Sequence, residues 1–314
     1  MVHSTIRVKK NYILIKVMYN KVVLYASYQT GDTLPGYVQF ALKHLAESDF
    51  HVVLCTNERS LAPEVQEFLT ANNIELFPTL NHGFDFGMWR RYLLSKTEEE
   101  RQGIQRLLLI NDSIVFYQNN FPIFFEEAEA ANADAVSLTS GDEGSLHLQS
   151  FFLYLKSKAI PVFYSHVFET PEAETFYEAV EKLEVALTTK LFDANCNVTP
   201  LFATEGFTLF AYPSLILQGA GFVKRKLLQR RFSFKEKMHF VRHGGKRSLN
   251  INYHKLIIQA GLAEDFKEEY LPRPVDSCAK HALDLAIQKV APYTYIPADQ
   301  WLYNHRQKKK GVSK

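Results

Sequence analysis

Cysteine is scarce in this chain: there are three in 314 residues, Cys55, Cys196 and Cys278, odd in number and far apart. None stands in C-x-x-C or similar metal-ligand spacing, so they read as reduced thiols. Net charge is also slight, with 36 Lys and Arg against 34 Asp and Glu, and the chain as a whole lacks the electrostatic footprint of a nucleic-acid binder. No stretch approaches the roughly 18 uncharged apolar residues that a membrane span needs. Arg7, Lys9 and Lys10 ahead of apolar residues superficially suggest a signal peptide. Lys16, Asn20 and Lys21 interrupt that stretch, and no small-residue cleavage site follows. The expectation is a cytoplasmic location, with peripheral contact at the inner face of the cell membrane as a further option. Two phosphate cradles are missing as well. No G-x-G-x-x-G follows the first strand pattern and no G-x-x-x-x-G-K-S/T occurs anywhere, which argues against dinucleotide-binding dehydrogenases and P-loop enzymes.

What is present is ample apolar material, 46% of residues, enough to bury a substantial core. Short β-rich runs alternate with helical patterns. KVVLYAS at 21–27 predicts a strand, the spacing of Tyr37, Phe40, Ala41 and Leu45 a helix over 37–46, and HVVLCT at 51–56 a second strand. A helix over 64–72 and a strand over 74–77 complete a βαβαβ beginning. After a Gly- and Asn-rich loop come a helix from 88 to 94 and a buried, central strand, RLLLIN, at 106–111. A helix over 124–131, strands over 135–139 and 146–155, and helices over 161–166 and 173–192 follow. The predicted class is α/β, a mostly parallel central sheet flanked by helices. Composition changes after 221: residues 224–247 hold ten Lys or Arg against the single acid Glu236, interleaved with Phe232, Phe234, Met238 and Phe240. The predicted organisation is therefore a domain over 1–221 and a basic, mainly helical extension over 222–314 packed on it.

Four places carry polar groups suited to chemistry. In the loop Asn81-His82-Gly83-Phe84-Asp85-Phe86-Gly87, between a strand and a helix, Gly83 and Gly87 allow close backbone approach, while Asn81 and Asp85 suit ribose or sugar hydroxyls. The same loop also reads as a turn capping the next helix. Asn111-Asp112-Ser113 ends the most apolar strand, where a carboxylate can hold a divalent cation against a diphosphate; the other reading is a cap on the following turn. His147 and Gln149 share one face of the HLQSFFLYL run, as a hydrogen-bonded core histidine or a catalytic group. Glu184 adjoins the apolar stripe Leu183, Leu187, Leu191, as an exposed helical residue or a base, with Glu181 nearby able to substitute.

Taken in order, Asn81-x-Gly83-x-Asp85-x-Gly87 with Trp89, Leu108 to Ser113, Asp134 to Thr139 and His147 to Phe152 resemble the rhamnan synthesis protein F family. That family comprises bacterial polysaccharide-assembly proteins regarded as glycosyltransferases. The resemblance spans roughly Val22 to Gly221 and implies a GT-A-like, Rossmann-like fold that binds a nucleoside diphosphate sugar. It implies donor contacts from Ser27, Tyr28, Asn81, Gly83, Asp85, Gly87, Asn111, Asp112 and Ser113, and pocket contacts from Thr139 and Gln149. Asp112 would meet a divalent cation, Mg2+ or Mn2+, although this strand end carries one carboxylate where many such enzymes have Asp-x-Asp. Glu184-Val185-Ala186-Leu187-Thr188 resembles the family's Glu-bearing helix start, making Glu184 the general base of an inverting transfer, with His147 second. The implied donor is dTDP-L-rhamnose or a related deoxysugar nucleotide, and the implied acceptor a growing cell-surface polysaccharide or lipopolysaccharide glycan, free or lipid-linked. The basic segment Lys224–Arg247 reads as a face for anionic headgroups or a lipid diphosphate, or as a solvated helical surface. A non-catalytic carbohydrate-binding or assembly protein on the same fold is the alternative; nucleic acid is not an expected partner.

Overall fold

Alternation along the buried strands decides the layering. In the computed structural model, which describes residues 19–58, 60–141, 145–204, 208–229 and 253–266, β1 (Lys21–Ser27) and β4 (Arg106–Asn111) pair in parallel at the centre of a sheet. Val23, Tyr25, Leu108 and Ile110 point to one face and pack with α1 (Gly36–Ala46), while Val22, Leu24, Leu107 and Leu109 point to the other. Strands buried on both sides are continuous apolar runs for this reason. Each fully buried Leu or Ile contributes about 1.5–3 kcal/mol relative to exposure.

β2 (His51–Thr56) and β3 (Glu75–Pro78) extend the sheet beside β1, with α2 (Pro63–Ala71) between them in sequence. After α3 (Phe84–Ser95), α4 (Glu98–Gly103) and β4 come the short β5 (Ile114–Phe116), α5 (Phe121–Ala130) and β6 (Ala135–Gly141). β7 (His147–Leu148) and β8 (Phe152–Lys156) lead to α6 (Ala159–Glu169), the short α7 (Phe176–Glu178), a π-helical stretch (Ala179–Val185), α8 (Ala186–Asp193) and β9 (Val198–Phe202). The sheet order is β3-β2-β1-β4-β8-β6-β7, with β9 also on β6. β8 is antiparallel to both β4 and β6. Hence β1, β4 and β6 run the same way, and Ser27, Asn111 and Gly141 end along one edge. The expected α/β class is present, and the strands expected at 21–27, 51–56 and 106–111 have those bounds.

Three expectations change. The loop over 81–87 is half helix: α3 starts at Phe84, not at 88, after a turn through two left-handed residues, Gly83 (φ 75) and Phe84 (φ 56). Gly87 inside this pattern disguised the helix; a Cβ there would sit 2.0 Å from the His82 carbonyl oxygen, so the loop backbone packs directly on the first turn. The strand expected over 146–155 is broken at Gln149-Ser150-Phe151 into β7 and β8, so His147 and Gln149 do not share one continuous face with Phe151. The helix expected over 173–192 starts at Phe176 and widens into a π turn carrying Glu184.

Residues on both sides of Gly221 share one core. β10 (Phe222–Lys224) pairs antiparallel with β5 after the apolar α9 (Thr208–Leu217). Phe222, Val223, and Leu227 and Leu228 of α10 (Arg225–Gln229), join the cluster around α1, as do Ile257 of α11 (His254–Gln259) and Phe266. Asp265 reaches back across the chain to accept hydrogen bonds from Gly36 N (2.7 Å) and Tyr37 N (2.8 Å), capping α1 where its local sequence offers only Pro35. Most of the basic segment, 230–247, lies outside the described residues, as do Glu236, the aromatics between its cations, and Cys278. Cys55 and Cys196 are buried free thiols. Among the described residues, no helix is long and apolar enough to cross a membrane.

Candidate active site

The ends of β1 and β4 meet at Asp112. Its Oδ2 accepts from Ser27 Oγ at 3.0 Å and lies 3.0 Å from Arg225 Nη1, and the Tyr28 amide donates to the same carboxylate. Burial pushes the Asp112 pKa up, against the pull of Arg225 and these hydrogen bonds. Arg225 Nη1 also donates to Tyr37 Oη at 2.7 Å, so the helix that Asp265 caps fixes the guanidinium. The Tyr25 hydroxyl, buried beside this group, has no hydrogen-bond partner among the described residues.

One residue back, Asn111 Nδ2 donates to Asp85 Oδ2 at 2.6 Å, while Asn111 Oδ1 accepts from Ser113 N (3.1 Å) and Ser113 Oγ (2.6 Å). Burial, with Asp112 and Glu184 adding negative charge nearby, pushes the half-buried Asp85 carboxyl up to about 7, although Asn111 and Lys224 oppose this. Lys224 Nζ lies 3.4 Å from Ser113 Oγ and 4.4 Å from the centre of the Phe151 ring.

The third wall comes from the broken strand and the π turn. Glu184 Oε2 accepts from Ser150 N at 2.9 Å and from Ser150 Oγ, and Oε1 lies 3.4 Å from His147 Nε2. Burial would raise the Glu184 pKa, but the His147 and Ser150 contacts outweigh it and the carboxyl is held below its ordinary value. His147 Nδ1 donates to the Ser145 carbonyl at 2.8 Å. The ring fits because Gly141 lacks a side chain: a Cβ there would come within 2.8 Å of His147 Nε2.

The expected site residues thus separate into two groups. Ser27, Tyr28 through its backbone, Asp85, Asn111, Asp112, Ser113, His147 and Glu184 gather at the edge where β1, β4 and β6 end. The rest have other surroundings. Asn81 is exposed. Gly83 and Gly87 serve close contacts within the protein, Gly83 against Glu172 and Gly87 against His82. Thr139 is fully buried and donates to Gln149 Oε1 at 2.6 Å; Gln149 is partly buried, and its Nε2 would lie 3.6 Å from a Cβ at Gly141, beside the His147 ring. Four further groups at this edge do not stand out in the sequence: Tyr37 reads as an apolar helix position, Arg225 and Lys224 as the start of a surface cluster, and Ser150 only as part of a motif. The ten-to-one excess of cations over 224–247 was the available signal for two of them.

Asp112 Oδ2 is engaged by the Arg225 guanidinium, and among the described residues no group of three or more His, Cys, Asp or Glu side chains converges at this edge, so these side chains alone make no cation cage. A groove between α6 and α8, lined by Val162, His166, Glu169 and Lys190, lies apart from this site. His166 there binds the Leu183 carbonyl, and burial lowers its pKa, as suits a structural imidazole.

No family model matches the chain, and no curated protein matches it. Among solved structures, a mannosyltransferase from Pyrobaculum calidifontis in complex with GDP-Man and Mn2+ is similar at 11% identity and a TM-score of 0.41, over 92% of this chain and 84% of that one. Residues 1–349 of TarS from S. aureus are similar at 14% identity and a TM-score of 0.37, over 93% and 92% of the two chains. A 4-diphosphocytidyl-2C-methyl-D-erythritol synthase from Anaerococcus prevotii is similar at 10% identity and a TM-score of 0.39, over 59% and 90%. Likenesses this distant carry neither activity nor ligand onto the present chain, whose α/β class rests on its own strand order and helix layers.

Proposed function

We propose that this protein is a glycosyltransferase that moves a sugar from a nucleoside diphosphate donor to a glycan hydroxyl, with inversion. The observation that supports this best is the meeting of two carboxylates of opposite electrostatic character, Asp85 and Glu184, with the Asn111-Asp112-Ser113 strand end and two cations, Lys224 and Arg225. Ligands of open α/β sheets bind beyond the carboxyl ends of the strands, where these groups lie.

In this reading the acceptor hydroxyl loses its proton to Asp85, whose pKa of about 7 suits a base at neutral pH. Glu184, the base implied by the family resemblance, is kept ionised by Ser150 and His147; it acts as a positioning residue for that wall of the site. Ser27 and the Tyr28 backbone meet the donor beside Asp112. The finer identity, dTDP-L-rhamnose or a related deoxysugar donor and a growing cell-surface polysaccharide or lipopolysaccharide acceptor, rests on the resemblance; membrane contact through Lys224–Arg247 rests on the basic and aromatic composition of that segment.

The test is release of nucleoside diphosphate from a panel of dTDP-, UDP- and GDP-sugars with glycan acceptors, for native protein and Asp85→Asn. Turnover of one donor, lost in Asp85→Asn while the variant stays folded, is expected. A second reading, a carbohydrate-binding or assembly protein without chemistry, draws on the tightly engaged Glu184 carboxylate. Glycan binding by calorimetry with no affinity for any nucleotide sugar would replace the first reading with it.

A further inference from the structure

We propose that the adjacent side chains Lys224 and Arg225 bind the donor's diphosphate and neutralise it as it leaves, in the role a divalent cation would otherwise fill at Asp112. The inference deepens the glycosyltransferase reading above and rests on it. Three observations carry it. First, Arg225 occupies the cation position at the β4 end, 3.0 Å from the Asp112 carboxylate. Second, the contacts of its guanidinium with the described residues run through Nη1, to Asp112 and Tyr37. A guanidinium has five N–H donors, so those on Nε and Nη2 remain for phosphate oxygens, and the side chain is one-third exposed. Third, Lys224 lies over Phe151 and beside Ser113, on the same strand end. Both residues stand where β10 ends and α10 begins, and the pairing of β10 with β5 fixes them next to Ile114 and Ser113: Lys224 is in register with Ile114, and Arg225 N donates to Ser113 O at 2.9 Å.

The transfer then balances without a metal ion. The bond from the anomeric carbon to the β-phosphate oxygen breaks, and its electron pair stays on that oxygen, where negative charge grows. The acceptor oxygen forms the new bond to the anomeric carbon and passes its proton to Asp85. Lys224 and Arg225 keep their protons throughout and stabilise the departing diphosphate as prearranged positive charge. Asp112 positions Arg225 and does not ligate a metal.

Calorimetry of UDP, dTDP and GDP binding tests this, in EDTA and in Mn2+, with native protein, Lys224→Met, Arg225→Met and Asp112→Asn. At least one nucleotide should bind with affinity unchanged within about threefold between EDTA and Mn2+. Lys224→Met and Arg225→Met should each weaken it about tenfold, the worth of one charge-assisted hydrogen bond. Asp112→Asn, which removes the charge that holds Arg225, should weaken it as well, by the same factor in EDTA and in Mn2+. Binding lost in EDTA and restored by Mn2+ overturns the proposal while leaving the glycosyltransferase reading intact, as does native-like affinity in both cation variants. If Arg225→Met does not fold, Lys224→Met and the EDTA comparison on native protein still decide. No binding of any nucleoside diphosphate under either condition overturns both readings.

Discussion

Asn111 Nδ2 donates to Asp85 Oδ2 at 2.6 Å, and this single bond ties the end of the central strand β4 to the first turn of α3. The amide cannot turn around, because Asn111 Oδ1 accepts from both Ser113 N and Ser113 Oγ. Asp85 therefore has a defined partner for its ionised form, in a setting where burial and two neighbouring carboxylates resist ionisation.

The pH dependence of Asp85 follows with a definite sign. Its folded pKa is raised to about 7 from 3.8, so between these values the folded state holds a proton that the unfolded chain releases. Stability falls as pH rises through that window, and the deficit persists above it. Asp85→Asn should melt about 2 °C higher than native at pH 8, with a flatter slope from pH 4 to 7. Native turnover should rise with pH through about 7 as the base ionises. Identical melting profiles at pH 5 and pH 8 would contradict the raised pKa.

Asn111→Ala removes the hydrogen bond that favours the Asp85 carboxylate. The acidic limb of the pH–rate profile should move to higher pH, and stability should drop by about 1–3 kcal/mol as Ser113 loses its acceptor. An unmoved acidic limb would argue that Asp85 does not set it.

Glu184 has the opposite sign. Its folded pKa is lowered, so its contribution is present above the unfolded value of 4.5 and is lost as pH falls through the folded value. Glu184→Gln should cost about 1.5–3 kcal/mol in urea unfolding at pH 7, the range for hydrogen bonds to a charged group. The difference should shrink toward pH 4. A cost that is independent of pH would point to shape rather than charge.

Gly141→Ala tests the seat of His147. The added methyl would meet the imidazole Cε1 at 2.7 Å. Either the ring leaves Glu184 or the end of β6 shifts; both should lower stability by about 1–3 kcal/mol. The histidine ring resonances, followed by NMR, should change. Unaltered resonances together with native stability would show that the site has slack the packing does not reveal.

Asp265→Ala should cost about 1 kcal/mol by uncapping α1. Tyr37 hangs from that first turn and holds Arg225, so nucleotide affinity should weaken as well. Lost stability with untouched affinity would separate the cap from the site.

The α/β class, the bounds of β1, β2 and β4, and the position of Ser27 and Asp112 where β1 and β4 end were legible in the sequence. They depend on local rules: buried strands read as unbroken apolar runs, and polar residues follow abruptly where such a strand leaves the core. The helical start of α3 was hidden because Gly87 and two left-handed residues mimic a loop, and Gly87 is required by contact with His82 rather than by a turn.

Partners brought together by folding were beyond local rules. Asp265 and Gly36 are 229 residues apart, and Arg225 and Tyr37 are 188 apart. Periodicity decides which face a residue occupies, not which distant charge will stand opposite it. The sequence alone determined that Asp112 ends a buried strand and that residues 224–247 are strongly basic. Only the tertiary structure decided that a cation from the edge of that basic run pairs with Asp112, because the pairing of β10 with β5 is a long-range event that no periodicity encodes.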